Sequence, residues 1–286
     1  MTSGFDQLTA REPEPLPCPP FDRWLSLDGD EATLFCRVSG GFLLRFVDQA
    51  DFRITLDPLK VVCTPCPDID DEMLADLHFN QVLPLILAHQ GQTVLHASAV
   101  AVAGQGIAFI GATGRGKSTL AASFARAGYP FLTDDGLIVV PGADGFAIQP
   151  RRPILRLRSD SEAAMRSATA PDGVGGDLTK RRIGASPALP FCQDPMPLHA
   201  IYILVESQAP VQPIIARLAS AAAVAELMQH SFILDVEDRA RVSAVFGALA
   251  DLVERVPCFT LDYRRDYTAL QDVIATLVEA TSTGEK

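Results

Sequence analysis

The eight residues Gly111-Ala112-Thr113-Gly114-Arg115-Gly116-Lys117-Ser118 match the pattern G-x-x-x-x-G-K-[ST] without a mismatch, and no other stretch constrains this chain as much. Small residues let successive backbone N–H groups turn inward around a phosphate. A helix that starts at Lys117, with Thr119 in its first turn, adds its positive end. The lysine neutralises β- and γ-phosphates, and the serine hydroxyl is offered to Mg2+. Such a loop needs an apolar strand immediately before it and a helix immediately after it, which GIAFIG (106–111) and KSTLAASFARAG (117–128) supply. Binding of a nucleoside triphosphate, ATP with Mg2+, is therefore expected.

What is done with the γ-phosphate depends on the rest of the chain. A GTPase should carry [NT]-K-x-D for guanine; the nearest match, Thr179-Lys180-Arg181-Arg182, has Arg where Asp is needed. No LSGGQ-like transporter signature occurs. Asp51-Phe52-Arg53 lacks the glycine of the protein-kinase motif, and there is no H-R-D. A P-loop phosphotransferase is what remains. Asp134-Asp135 follow Lys117 by 17 and 18 residues at the end of an apolar segment. Neighbouring strand side chains point to opposite faces, so one Asp can reach the reacting group while the other serves Mg2+. Adjacent carboxylates beside a triphosphate also resist double ionisation, which suits a general base. His96, 21 residues before Lys117 in an apolar strand, reads by itself as a core histidine.

Around this centre the chain divides into an extended arm (1–20) with five prolines in residues 11–20, a smaller β-rich domain with a linking helix (21–90), an α/β domain (91–280) and a solvated tail (281–286). The linking helix is expected over 70–88, bent near Pro84. VLHASAVAVAG (94–104) and YPFLTDDGLIVV (129–140) each read as one strand, IYILVE (201–206) and PCFTLDY (257–263) as two more, and 159–195 as a mobile loop. Arg151, Arg152, Arg156, Arg158 and the run Lys180-Arg181-Arg182 form a basic group able to neutralise a triphosphate. Lys180 and Arg181 are preferred, because a loop can close over bound ATP or a peptide.

Composition excludes several classes. With 24 basic and 35 acidic residues, net −11, the chain is not a nucleic-acid coat. Residues 77–114 carry no charged side chain, yet their longest apolar stretch, 82–88, falls far short of the roughly 18 residues a membrane span needs. Six scattered cysteines and the absence of a signal peptide point to the cytoplasm. Cys63-x-x-Cys66 reads as an ordinary turn, not a zinc site.

LHASAVAV, GATGRGKSTL and FLTDDGL, in that order, resemble the HPr kinase/phosphorylase superfamily, bacterial P-loop kinases that phosphorylate a seryl hydroxyl on a protein. The resemblance covers residues 90–205, with the later helices following less closely. It implies a P-loop kinase core with a mixed sheet and flanking helices, and assembly into a homo-oligomer. It also implies that His96 orients or assists the Asp, that Lys117 and Ser118 hold phosphate and Mg2+, and that Asp135 or Asp134 accepts the seryl proton, with the family's similar spacing favouring Asp135. The family's Mg2+-binding Glu has no clear match; Asp160 or Glu162 is the best substitute, giving Ser118, Asp135 and Asp160 as the metal set. The first 80 residues look more like the HPr-kinase-like proteins found beside ribosomal (lasso) peptide clusters, which implies a precursor peptide as substrate. Two other functions stay open: a kinase for a small-molecule hydroxyl, and a nucleotide-binding regulatory module that transfers nothing.

Overall fold

The computed structural model describes residues 4–26, 28–142, 145–158 and 180–283. The chain forms two compact units, one built from residues up to His89 together with Ile233–Arg239, the other from Gln90–Phe232 and the residues from Ala240 onward. It is a mixed α/β protein.

The first unit is a six-stranded sheet of β1 (Asp6–Gln7), β2 (Asp22–Leu25), β3 (Glu31–Val38), β4 (Gly41–Phe46), β5 (Ala50–Leu56) and β6 (Leu59–Pro65). Its order is β1-β6-β5-β4-β3-β2, an antiparallel meander to which β1 adds a parallel edge. The arm is thus tied to the sheet at Asp6–Gln7. Phe35, Phe46 and Phe52 are buried, and Trp24 lies edge-on to Phe35 at 5.0 Å. Helical turns pack on this sheet through His78 against Phe52 and His89 against Phe42. The expected single helix is three pieces: α1 (Asp71–Leu77), a π-helical segment (His78–Val82) and α2 (Leu83–His89). Asp70 caps α1 by accepting the Met73 N–H at 2.7 Å. The wider π turn sits just before Pro84, where the missing N–H and the ring's clash with the preceding turn would otherwise force a break.

The second unit is built on β7 (Thr93–Leu95), β8 (Ala97–Val102), β9 (Gln105–Ile110), β10 (Phe131–Thr133), β11 (Leu137–Gly142), β12 (Gly145–Gln149), β15 (Met196–Leu204), β16 (Ile214–Arg217) and β17 (Cys258–Asp262); β13 (Ile154–Arg158) and β14 (Lys180–Gly184) form a separate ribbon. One run reads β10-β8-β9-β15-β17-β16, with β9, β15 and β17 mutually parallel. The first residues of β15 also pair with β12, which leads through β11 to β7. Alternation sorts the side chains. Ala97, Ala99, Ala108, Ile110, Ile201 and Ile203 face one core, closed by α4 (Ser220–Gln229) and α5 (Arg239–Arg255). Val100, Val102, Ile107, Phe109, Tyr202 and Leu204 face the other, with α3 (Lys117–Arg126) and α6 (Leu270–Thr283). Both faces are buried, which is why the sequence shows continuous apolar runs there and no alternation.

Three expectations are corrected here. Each of the two long strands is broken: 93–102 bends at His96 and 131–142 at Asp134–Gly136, so that β8 and β10 pair in one run while β7 and β11 pair in the other. Asp135 has φ 62°, a left-handed conformation that no strand continues through, and the Thr133 hydroxyl closes the turn on the Gly136 carbonyl at 2.7 Å. Second, residues 180–184, expected within a loop, form β14, paired with β13 from Ile154↔Gly184 to Arg158↔Lys180. Third, the final helix runs to Thr283, with Thr281 buried and its hydroxyl bonded to the Leu277 carbonyl, so Thr281 is not part of a solvated tail.

Candidate active site

The glycine-rich loop leaves β9 at Ile110 and enters α3 at Lys117. Gly111 has φ 149°, and a Cβ there would lie 2.9 Å from the Leu204 carbonyl oxygen, so the loop can begin only with glycine. Gly116 precedes α3 in a left-handed conformation, and no side chain caps the helix. Its first N–H groups therefore face the loop's interior, where an anion suits them. Lys117 is buried and its Nζ donates to the Gly111 carbonyl at 2.7 Å, which holds the ammonium across the loop. Arg115 reaches outward to Glu206 at 3.3 Å.

The two broken strands bring the rest to this loop. Ser98 lies on the same face of β8 as Val100 and Val102, the face that α3 covers. Its hydroxyl donates to Asp134 Oδ1 at 2.5 Å, and the Ser118 hydroxyl donates to the same oxygen at 2.9 Å. Asp134 Oδ2 accepts the backbone N–H of Arg156 at 2.8 Å. Both oxygens of Asp134 are thus engaged by groups from β8, α3 and β13. Asp135, on the other side of the turn and only 3% exposed, pairs with the Arg156 guanidinium at 3.1 Å. Ser118 accordingly meets Asp134 and not Asp135. Leu155 and Leu157 are buried against α3, and this turns Arg156 the other way, towards the carboxylate.

His96 sits at the bend between β7 and β8. Its N–H donates to the His230 carbonyl at 2.7 Å and its ring meets Phe232 edge-on at 6.2 Å. His96 lines a cavity of about 250 Å3 together with the loop from Thr113 to Thr119, Arg156, and the segment after β17 from Tyr263 to Leu270. His230 is half-buried beside Lys117. Burial, and then the lysine's positive charge, push its pKa down to about 4.

The structure thus brings His96, Lys117, Ser118, Thr119 and Arg156 to one cavity, with Asp134 and Asp135 directly behind Ser118 and Arg156. Lys180 and Arg181 stand in β14 opposite Arg158 and Leu157. Asp160 and Glu162 lie outside the described residues. Sequence reasoning missed Ser98, His230 and the 263–270 segment. Ser98 was within reach, two residues after His96 on a strand leading to the loop. Nothing in the sequence marks His230 or Tyr263, which arrive from more than a hundred residues away, His230 at the end of α4 and Tyr263 at the end of the parallel strand β17.

No family model matches the chain, and no curated protein matches it either. Among solved structures, the chain is similar to the Hpr(Ser) kinase/phosphatase from Coxiella burnetii, with 10% sequence identity, a TM-score of 0.40, and coverage of 68% of this chain and 99% of that one. A likeness so loose assigns no residue a role.

Proposed function

We propose that the protein is an ATP- and Mg2+-dependent kinase that transfers the γ-phosphoryl group to a serine hydroxyl of a peptide or small protein. The observation that carries this reading is the pair of carboxylates at the turn after β10. Asp134 is bound to the Ser118 hydroxyl, and Asp135 is held beside it by an arginine. Nucleotide binding alone needs the loop and one metal-side carboxylate. A second buried carboxylate with its own guanidinium suits phosphoryl transfer to a hydroxyl.

The site's donors fit Mg2+: a hydroxyl and a carboxylate oxygen, sharing one hydrogen bond, from Ser118 and Asp134. Mg2+ takes one or two such protein ligands and satisfies the rest with phosphate and water. When bound it supplies charge neutralisation at the phosphates. With Asp134 so placed, Asp135 is left as the base. Its carboxylate exchanges the Arg156 guanidinium for the seryl hydroxyl and takes the proton as the seryl oxygen bonds to phosphorus and the bond to the β-phosphate oxygen breaks. The released Arg156, with Lys117, stabilises the charge on the transferred group. His96 stands at the same cavity and orients the reacting groups. A precursor peptide of a ribosomal (lasso) product is the substrate we propose first, on the resemblance of the first 80 residues.

The test uses γ-labelled ATP, Mg2+ and serine-containing peptides encoded beside the gene. Label is expected on a peptide serine and is expected to fall by at least a hundredfold, the usual weight of a general base, in Asp135→Asn. Tight ATP binding with no transfer to any peptide or small alcohol would favour a nucleotide-dependent switch instead.

A further inference from the structure

The loop and α3 account for the phosphates of a nucleotide but for nothing beyond them. β9, β15 and β17 run parallel, so their C-terminal ends open on one side, where α/β sheets hold ligands. The segments that follow β9 and β17 form two walls of the cavity of about 250 Å3. The first is the glycine-rich loop. The second, in the segment Tyr263 to Leu270, differs in chemistry: Tyr263, Tyr267, Leu270, Asp266 and Arg265.

Tyr263 is 3% exposed, and its hydroxyl packs against the loop, where a Cβ on Gly116 would lie 3.4 Å from it. Arg265 lies over the Tyr263 ring, its guanidinium carbon 3.9 Å from the ring centre. One Nη donates to the Val205 carbonyl at 2.8 Å, at the end of β15. These two anchors hold the guanidinium in place at the cavity wall. The guanidinium is set against Tyr263 and spends a donor on Val205, so the exposed remainder of Arg265 is what the cavity meets. An arginine that serves phosphate keeps its N–H edge open for bidentate contact; one anchored by a ring and a carbonyl is suited to support a flat ring.

The remaining polar group on this wall does not read base edges. Asp266 Oδ1 accepts the Thr268 hydroxyl at 2.6 Å and the Ala269 N–H at 2.9 Å, and Oδ2 pairs with Arg264. Those bonds fasten the turn into α6 and hold the carboxyl below its ordinary range. Guanine selection needs a carboxylate free to accept from the base, and this one is engaged.

We propose that Tyr263, Arg265 and Tyr267 form a nucleobase subsite in which a purine stacks on the Arg265 guanidinium and is not read at its edges, so that ATP and GTP are accepted alike. This rests on the kinase reading for the loop's phosphate role. Stacking on a guanidinium or ring is tolerant of base identity because every base has a π-face.

The experiment is calorimetric titration of the full-length protein, in Mg2+, with ATP, GTP and inorganic tripolyphosphate. Wild type is compared with Arg265→Ala and Arg265→Lys, and circular dichroism is used to confirm that each variant is folded. Arg265→Ala is expected to weaken ATP and GTP together by about tenfold while leaving tripolyphosphate unchanged. Arg265→Lys, which keeps the charge and loses the plane, should resemble Arg265→Ala. Equal losses for ATP and tripolyphosphate would make Arg265 a phosphate ligand and overturn the subsite, as would unchanged ATP binding in both folded variants. A wild-type preference between ATP and GTP above about tenfold would overturn the absence of edge reading. Wild type that binds neither tripolyphosphate nor either nucleotide would instead remove the kinase reading itself. Binding without transfer to any acceptor leaves the subsite standing and removes only the kinase.

Discussion

Gly111 and Ser98 are single positions at which geometry leaves little choice. Ala at 111 would place a Cβ 2.9 Å from the Leu204 oxygen with φ at 149°, so Gly111→Ala is expected to cost about 1–3 kcal/mol in chemical denaturation and to abolish ATP binding in a titration. Ser98 is fully buried behind the cavity, where it holds the Asp134 oxygen that Ser118 also holds. Ser98→Ala removes a buried hydrogen bond to a carboxylate, about 1.5–3 kcal/mol, and should slow phosphoryl transfer roughly tenfold while the KM for ATP stays nearly constant. Rescue by Ser98→Thr, and not by Cys, would mark the hydroxyl as the active feature. His230 supplies a pH signature. Its folded pKa of about 4 lies below the ordinary 6.5, so the unfolded chain takes up the proton first as pH falls. Stability from this group is full above pH 6.5 and is lost progressively as pH drops towards 4. His230→Gln should flatten that part of a plot of melting temperature against pH.

At the scale of elements, the site is a corner where two paired strands pass from one sheet run to the other. His96 interrupts one strand and Asp134–Gly136 the other, at matching heights, because β8 pairs with β10 and β7 with β11. The Thr133 hydroxyl, fully buried, closes the second bend on the Gly136 carbonyl. Thr133→Val keeps the shape and leaves that carbonyl without this donor. The expected cost is about 1–3 kcal/mol, with faster amide exchange around Asp134–Gly136 than in α3. The corner also shows what could be read in the residues beforehand. Gly111–Ser118 has a fixed spacing whose geometry is local, so its strand, loop and helix were legible; Lys117 and Asp134-Asp135 stood out from the residues themselves, and His96 only through the resemblance. The bends were not: LHAS is apolar enough to pass for continuous strand, and in LTDDGL the turn signal Asp135-Gly136 was outweighed by the apolar residues on either side. β14 was hidden because its partner β13 lies on the far side of more than twenty residues, and no periodicity within KRRIG records that pairing. Arg156 was legible as a cation and not as the partner of Asp135.

For the molecule as a whole, charge and core tell different stories. The net −11 is unevenly spread along the sequence: residues 151–182 carry eight basic and four acidic side chains, while the remaining chain is strongly acidic. Among the described residues, no helix is long and apolar enough to cross a membrane. The cores are two. The first unit closes around Phe35, Phe46 and Phe52, and the second around the two faces of its parallel strands. The chain enters the first unit twice, and its second visit, 233–239, is fastened by Asp235, whose two oxygens receive the Arg37 guanidinium at 2.6 and 2.8 Å, while Glu237 adds a further contact at 2.8 Å. Arg37 is nearly half exposed, so water screens the pair and about 1 kcal/mol is a fair weight for it. Separate cores unfold as separate cooperative blocks. Scanning calorimetry of the whole chain should therefore show two transitions. Asp235→Ala is expected to lower the one belonging to the first unit by roughly 5 °C. Phe124→Ala, which empties a buried aromatic site under α3, should lower the other by roughly 10 °C and leave the first in place. If both substitutions instead moved one shared transition, the 233–239 visit would be joining the two cores into a single cooperative block, and Asp235 would have to be weighed as part of the second unit's stability.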